Sequence, residues 1–180
     1  IELPPFQTEF LESKNWLKEN VIKFAPVEVE DFIIYGIHEK DIPPSDKVTL
    51  RIYAATAFGS EHQTTKSCLR AISHLNRLGA AHRNILDMGT GSGILALAAA
   101  KLWPDAARIT AVDIDPEAVA VTRQNARDNH LEKYLTVAVS NGYNSDLVQN
   151  NAPYDIIIAN ILARPLIEMA PQLNQALAPG

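Results

Sequence analysis

Cysteine is almost missing from this chain, with Cys68 the single one in 180 residues. That excludes an intrachain disulfide. No Cys/His cluster has zinc spacing either, so no structural metal is expected and the setting reads as reducing and cytoplasmic. Long apolar runs are missing too. The longest, Ile94 to Ala100, is far short of the roughly 20 residues that span a bilayer, and the N-terminus has neither the basic nor the apolar region of a secretory signal. Positive charge is in deficit, with Lys plus Arg at 16 against Asp plus Glu at 21 and a net charge of −5. Binding that depends on neutralising phosphates is therefore disfavoured, and neither nucleic acid nor membrane is an expected partner. The remaining composition, 47% hydrophobic and 21% charged, is that of a globular domain able to bury a core.

The first part of the chain reads as a short α+β extension. Apolar residues from Thr8 to Phe24 recur at helical spacing until Pro26. Phe32–Gly36 and Val48–Ile52 then read as two strands about a Pro43-Pro44-Ser45 turn, which implies an antiparallel pair. From Gln63 to Leu78 one apolar stripe, including Cys68, predicts a helix stopped by Gly79. Cys68 on that stripe is most simply a small core residue.

Beyond Gly79 strands and helices alternate. Strands are expected at Asn84–Leu86, Ile109–Val112, Thr136–Val139 and Asp155–Ala159. Helices are expected at Ser92–Trp103, Pro116–Asn129 and Pro165–Leu177. Such alternation means a parallel sheet with right-handed crossovers, a Rossmann-like doubly wound α/β fold. With four parallel strands and a start at Ile1 rather than Met, the chain is expected to be part of a longer protein whose C-terminal strands are not covered. Residues 1–45 are expected to form a connector or the remnant of an N-terminal substrate-recruiting domain, and 46–180 the main domain.

Glycine is sparse, 8 in all, yet three stand at 89, 91 and 93 directly after the first parallel strand. Glycines are needed where backbone turns tightly and approaches a ligand at a helix N-terminus. A dinucleotide fingerprint needs Gly-x-Gly-x-x-Gly, and its third glycine position is Ile94. Asp87-Met88-Gly89-Thr90-Gly91-Ser92-Gly93 instead resembles motif I of the Rossmann-like methyltransferases that use S-adenosylmethionine (SAM), whose loop wraps the amino-acid end of the cofactor. The second strand ends in Val112-Asp113-Ile114-Asp115-Pro116. A carboxylate at this edge matches the vicinal hydroxyls of a ribose, which makes Asp113 the ribose ligand. Asp115 before Pro116 is better explained as a helix N-cap. Ser140-Asn141-Gly142-Tyr143 is either an adenine-edge contact or simply an Asn-Gly turn. Asn160, at the end of the fourth strand, either meets the substrate or caps the next helix.

Ala57-Phe58-Gly59-Ser60-Glu61-His62-Gln63-Thr64-Thr65, the motif I variant, Asp113-Ile114-Asp115-Pro116 and Asn160-Ile161-Leu162 occur in one order. In this the chain from about Phe32 to Gly180 resembles the bacterial methyltransferases of large-subunit ribosomal proteins, the ribosomal protein L11 methyltransferase (PrmA) family. One departure stands out: the family loop has a second glycine that is lacking between Ser60 and Glu61. The resemblance implies cofactor contacts at Thr65, Gly89, Gly91, Asp113 and Asn160, with Phe58 covering the cofactor. His62 on that polar loop reads as scaffold rather than base. Asn160 is also the expected catalytic residue, orienting an acceptor amine. Asn160-Ile161-Leu162, without the aromatic of Asn-Pro-Pro-Tyr, favours a tetrahedral amine over a planar acceptor.

The implied activity is SAM-dependent methylation of a protein lysine ε-amine or N-terminal α-amine, with a large-subunit ribosomal protein as partner. Two rivals are a non-enzymatic module that binds SAM or another nucleoside, and a methyltransferase acting on a small molecule or RNA.

Overall fold

The computed structural model describes residues 24–53, 62–79, 82–106 and 108–179. The helix expected from Thr8 falls outside them except for Phe24. So do Phe58 and the position of the missing loop glycine.

Three short strands come first: β1 (Val27–Val29), β2 (Phe32–Gly36) and β3 (Val48–Ile52). β1 and β2 form an antiparallel hairpin. β2 and β3, however, pair in parallel from Phe32↔Val48 to Gly36↔Ile52, which corrects the antiparallel expectation. Pro43-Pro44-Ser45 is part of a returning crossover rather than a reversal. The Arg51 guanidinium holds that crossover by donating to the Ile37 and Glu39 carbonyls at 3.3 and 3.2 Å. The boundary expected after residue 45 thus falls between two strands of one sheet.

The alternating region follows as α1 (Gln63–Arg77), β4 (Asn84–Met88), α2 (Ile94–Leu102), β5 (Arg108–Asp113), α3 (Pro116–Asp128), β6 (Leu135–Val139), α4 (Asp146–Asn151), β7 (Ile156–Ala159) and α5 (Ala163–Ala176). Its sheet has the order β6-β5-β4-β7 and is parallel throughout, so the Rossmann-like α/β expectation holds among the described residues. The chain starts in the middle at β4, moves outward to β6, then returns to β7 on the other side. The reversal leaves a crevice at the carboxyl ends of β4 and its neighbours, where open α/β sheets bind ligands.

Side-chain alternation divides the core. Ile85, Ile109, Ala111 and Ile158 face α2, while Leu86, Met88 and Val112 face Tyr143, Val148, Tyr154 and Ala176. α2 is apolar from Ile94 to Ala100 because that stretch is covered on every side, and its charge, Lys101, stands exposed near the end. It packs against α1, β3, β4 and β5, and Ile94 to Ala100 are all buried, as expected of a stretch with no wet face. Cys68 is half-buried against the same core, and burial raises its thiol pKa. No described helix is long and apolar enough to cross a membrane.

Candidate active site

Sheet register builds the site. Met88, the last residue of β4, stands between Val112 of β5 and Ala159 of β7. One residue further along the three strands come Gly89, Asp113 and Asn160, so the ribose candidate and the catalytic candidate flank the first glycine turn at one level.

Asp113 fastens the turn to β5. Its Oδ2 accepts from the Gly91 N–H at 2.9 Å and its Oδ1 from the Asp115 N–H at 3.0 Å. A carboxylate offers about four lone-pair sites, and Asp113 is only half-buried, so it retains acceptor capacity toward the crevice. Gly89 and Gly91 have φ of +73° and +54°, the left-handed region that glycine enters without strain. A Cβ on Gly89 would collide with Cγ2 of Ile161, whereas one on Gly91 would meet nothing within 4 Å. The first glycine is required by packing and the second stands beside open space. A half-buried carboxylate with spare lone pairs, open space over Gly91 and exposed Ile114 beside them form an acceptor, a cleft and an apolar surface that fit an adenosine carrying an amino-acid tail. Ile114 is 66% exposed, and sequence reading passed it over because an apolar residue after a strand looks like core.

Asp87 has a role that the motif alone did not show. Helix α2 begins at Gly93, which has no side chain to cap it. The Asp87 carboxylate, from the end of β4, supplies the cap instead by accepting from the Ala96 N–H at 3.2 Å and the Thr90 hydroxyl at 2.7 Å. Asp87 is 1% exposed, and burial pushes its pKa up to about 6. The two hydrogen bonds pull it down in part, and the nearby negative charge of Asp113 adds to the rise.

The alternatives left open by the sequence separate here. Asp115 is the N-cap of α3, accepting from Glu117 N–H at 2.8 Å with Pro116 following. Asn160 does not cap α5, whose N-cap is Leu162. Its Nδ2 instead donates to Thr65 Oγ1 at 3.0 Å. Thr65 is 2% exposed and meets Asn160 at the carboxyl edge of the sheet. His62 is the N-cap residue of α1 and makes no side-chain cap. Ser140 is engaged in its own turn, its hydroxyl donating to the Gly142 carbonyl at 2.7 Å and bonding the Ser145 hydroxyl at 2.9 Å. Gly142, at φ +57°, completes the Asn-Gly turn. Among the described residues no group of His, Cys, Asp and Glu could hold a metal.

The sequence model of the family described as Ribosomal protein L11 methyltransferase (PrmA) matches residues 2–180. The chain belongs to this family. The ribosomal protein L11 methyltransferase of Rhizobium meliloti (strain 1021) is 43% identical over 177 residues, covering 98% of this chain and 60% of that protein. The relative of the same name from Agrobacterium fabrum is 41% identical over 175 residues, 97% of this chain and 59% of its own length. The chain thus spans about 60% of the curated family members it matches. The crystal structure of ribosomal protein L11 methylase from Lactobacillus delbrueckii subsp. bulgaricus superposes with a TM-score of 0.68 at 30% identity, covering 86% of this chain and 76% of that one. The O-methyltransferase TomG from Streptomyces achromogenes, in complex with SAM, superposes at 0.54 and 16% identity over 64% of this chain and 52% of that one, a likeness of fold alone.

Proposed function

We infer that this chain carries the methyl-transferring part of a SAM-dependent methyltransferase that acts on an amine of a large-subunit ribosomal protein, a lysine ε-amine or an N-terminal α-amine. Family membership supports the class, and the observation that carries the reading is the common level of Asp113, Gly89 and Asn160 around the β4 turn. When bound, SAM supplies a methyl group made electrophilic by the sulfonium. In this reading Asp113 holds the ribose hydroxyls, Ile114 lies against the base, and Gly91, beside the Gly89 turn, leaves room for the amino-acid tail. Thr65 takes up the Asn160 amide N–H, which leaves the Asn160 carbonyl as an acceptor for the N–H of an incoming amine.

The nucleophile must be a neutral amine. An exposed lysine has a pKa near 10.4, so the site must favour deprotonation by desolvation or release the proton to water. Asp87 is unsuited to remove it, being buried and engaged with Thr90 and Ala96. Positioning against a strong electrophile then supplies most of the acceleration. The proposed methyltransferase part is residues 46–180, with the preceding connector adding β1 and β2 to its β3. The net charge of −5 supports a basic protein over RNA as partner, and a ribosomal-protein substrate implies a cytoplasmic reaction.

The test incubates the full-length protein with labelled SAM and ribosomal proteins and locates the label by mass spectrometry. A methylated amine on a large-subunit protein is expected. A protein that binds SAM but labels no amine would favour the non-enzymatic binding module.

A further inference from the structure

One face of α3 is polar yet buried. Thr122 and Asn125 are 0% exposed and Asn129, the C-cap that continues their line, is 6% exposed, at i, i+3, i+7 spacing. Two of the three reach the back of the glycine turn. The Thr122 hydroxyl donates to the Gly91 carbonyl at 2.9 Å, and the Asn125 amide donates to the Ser92 carbonyl at 2.8 Å. The same Asn125 side chain accepts from the Tyr53 N–H at 2.7 Å and donates to the Tyr53 carbonyl at 3.3 Å. Asn129 repeats this on Arg51, accepting from its N–H at 2.9 Å and donating to its carbonyl at 2.7 Å. Arg51 and Tyr53 are alternate residues along one edge of β3 and its extension. The two amides therefore take the place of a neighbouring strand on that edge.

The bonds to the turn have a directional consequence. In a trans peptide the C=O and the following N–H point in opposite directions. With the Gly91 carbonyl held toward α3, the Ser92 N–H is turned away from α3. The Gly93 N–H, by contrast, is closed onto the Thr90 carbonyl at 2.8 Å. Thr122 also fills the space beside Gly93, where a Cβ would approach its Cγ2 to 2.8 Å. α3 thus fixes which way the turn's backbone dipoles face.

We propose that Thr122 is a positioning residue for the cofactor: by holding the Gly91 carbonyl from behind, it presents the Ser92 N–H to the amino-acid end of SAM, while Asn125 braces the turn against β3 and Asn129 serves β3 alone. This rests on the SAM reading above and assigns its amino-acid end to a turn whose orientation is set from α3.

The test compares two ligands by calorimetry in the full chain. S-adenosylhomocysteine carries the amino-acid end, and 5′-methylthioadenosine keeps the adenosine and sulfur without it. Thr122→Val removes the hydroxyl at nearly constant shape, and Thr122→Ser keeps it. Thr122→Val is expected to weaken S-adenosylhomocysteine by about tenfold, the scale of one hydrogen bond, and to leave 5′-methylthioadenosine within about twofold, whereas Thr122→Ser is expected to bind both like the parent. Asn129→Asp is expected to lower the melting temperature with both affinities kept. Equal weakening of both ligands, or of neither, overturns the proposal. A parent protein that binds neither ligand overturns the SAM reading itself.

Discussion

Asn160 and Thr65 are 95 positions apart in sequence and joined by one hydrogen bond, amide Nδ2 to hydroxyl Oγ1, at 3.0 Å. The bond links the end of β7 to the first turn of α1 across the carboxyl edge of the sheet. Thr65 is buried, and its hydroxyl accepts the Asn160 amide N–H. Thr65→Val, which keeps the shape and deletes the acceptor, is expected to lower methyl transfer by about tenfold, the scale of one lost hydrogen bond. SAM affinity should change far less. Single-turnover methylation and calorimetry on the same preparation check the split.

Asp113 makes two bonds to its own backbone surroundings and keeps acceptor capacity for a ribose. Asp113→Ala is expected to weaken SAM binding by about 1.5–3 kcal/mol, the range for hydrogen bonds to a charged group. Calorimetry on folded protein measures it. An unchanged dissociation constant would remove Asp113 from the site.

Gly89 and Ile161 form a packing pair. Gly89→Ala places a methyl group against Ile161 and holds alanine at φ +73°, a conformation costing an L-residue about 1–2 kcal/mol. Ile161→Ala removes the obstructing carbon but not the backbone strain. The double variant is therefore expected to recover part of the lost stability, and denaturant melts of all four proteins give the coupling. Strict additivity would show that the contact is unimportant.

Asp87 makes stability depend on pH. Its carboxyl titrates near 6 when folded, against the ordinary 3.8 of an exposed aspartate when unfolded, so between those values the folded protein binds more protons. The contribution is full below about pH 4 and is lost as pH rises through 6, a change of about 3 kcal/mol. Asp87→Asn does not titrate and should gain about that much relative to the parent between pH 4 and pH 7. Denaturant melts at the two pH values decide it, and a difference independent of pH would contradict the assignment.

Much of this was readable from residues alone. The four parallel strands, the glycine turn and Asp113 follow from periodicity and from glycines that only a strand-to-helix turn explains. The pairing of β2 with β3 was not readable, because Pro43-Pro44-Ser45 serves a reversal and a crossover equally well. Asn125 and Asn129 look like polar positions on an ordinary surface helix. Only the fold shows that their amides meet a strand edge and a glycine turn. Asp87 could have been found, since Gly93 opens a helix without a capping side chain and a carboxylate at the preceding strand end can replace it.

The most direct test of the account is Asn160→Ala, assayed for single-turnover methylation and for SAM affinity. An interaction realised mainly in the transition state shows in turnover rather than in cofactor binding. The variant is expected to turn over about 10² more slowly with SAM affinity changed far less. A folded variant with the parent's turnover would contradict it.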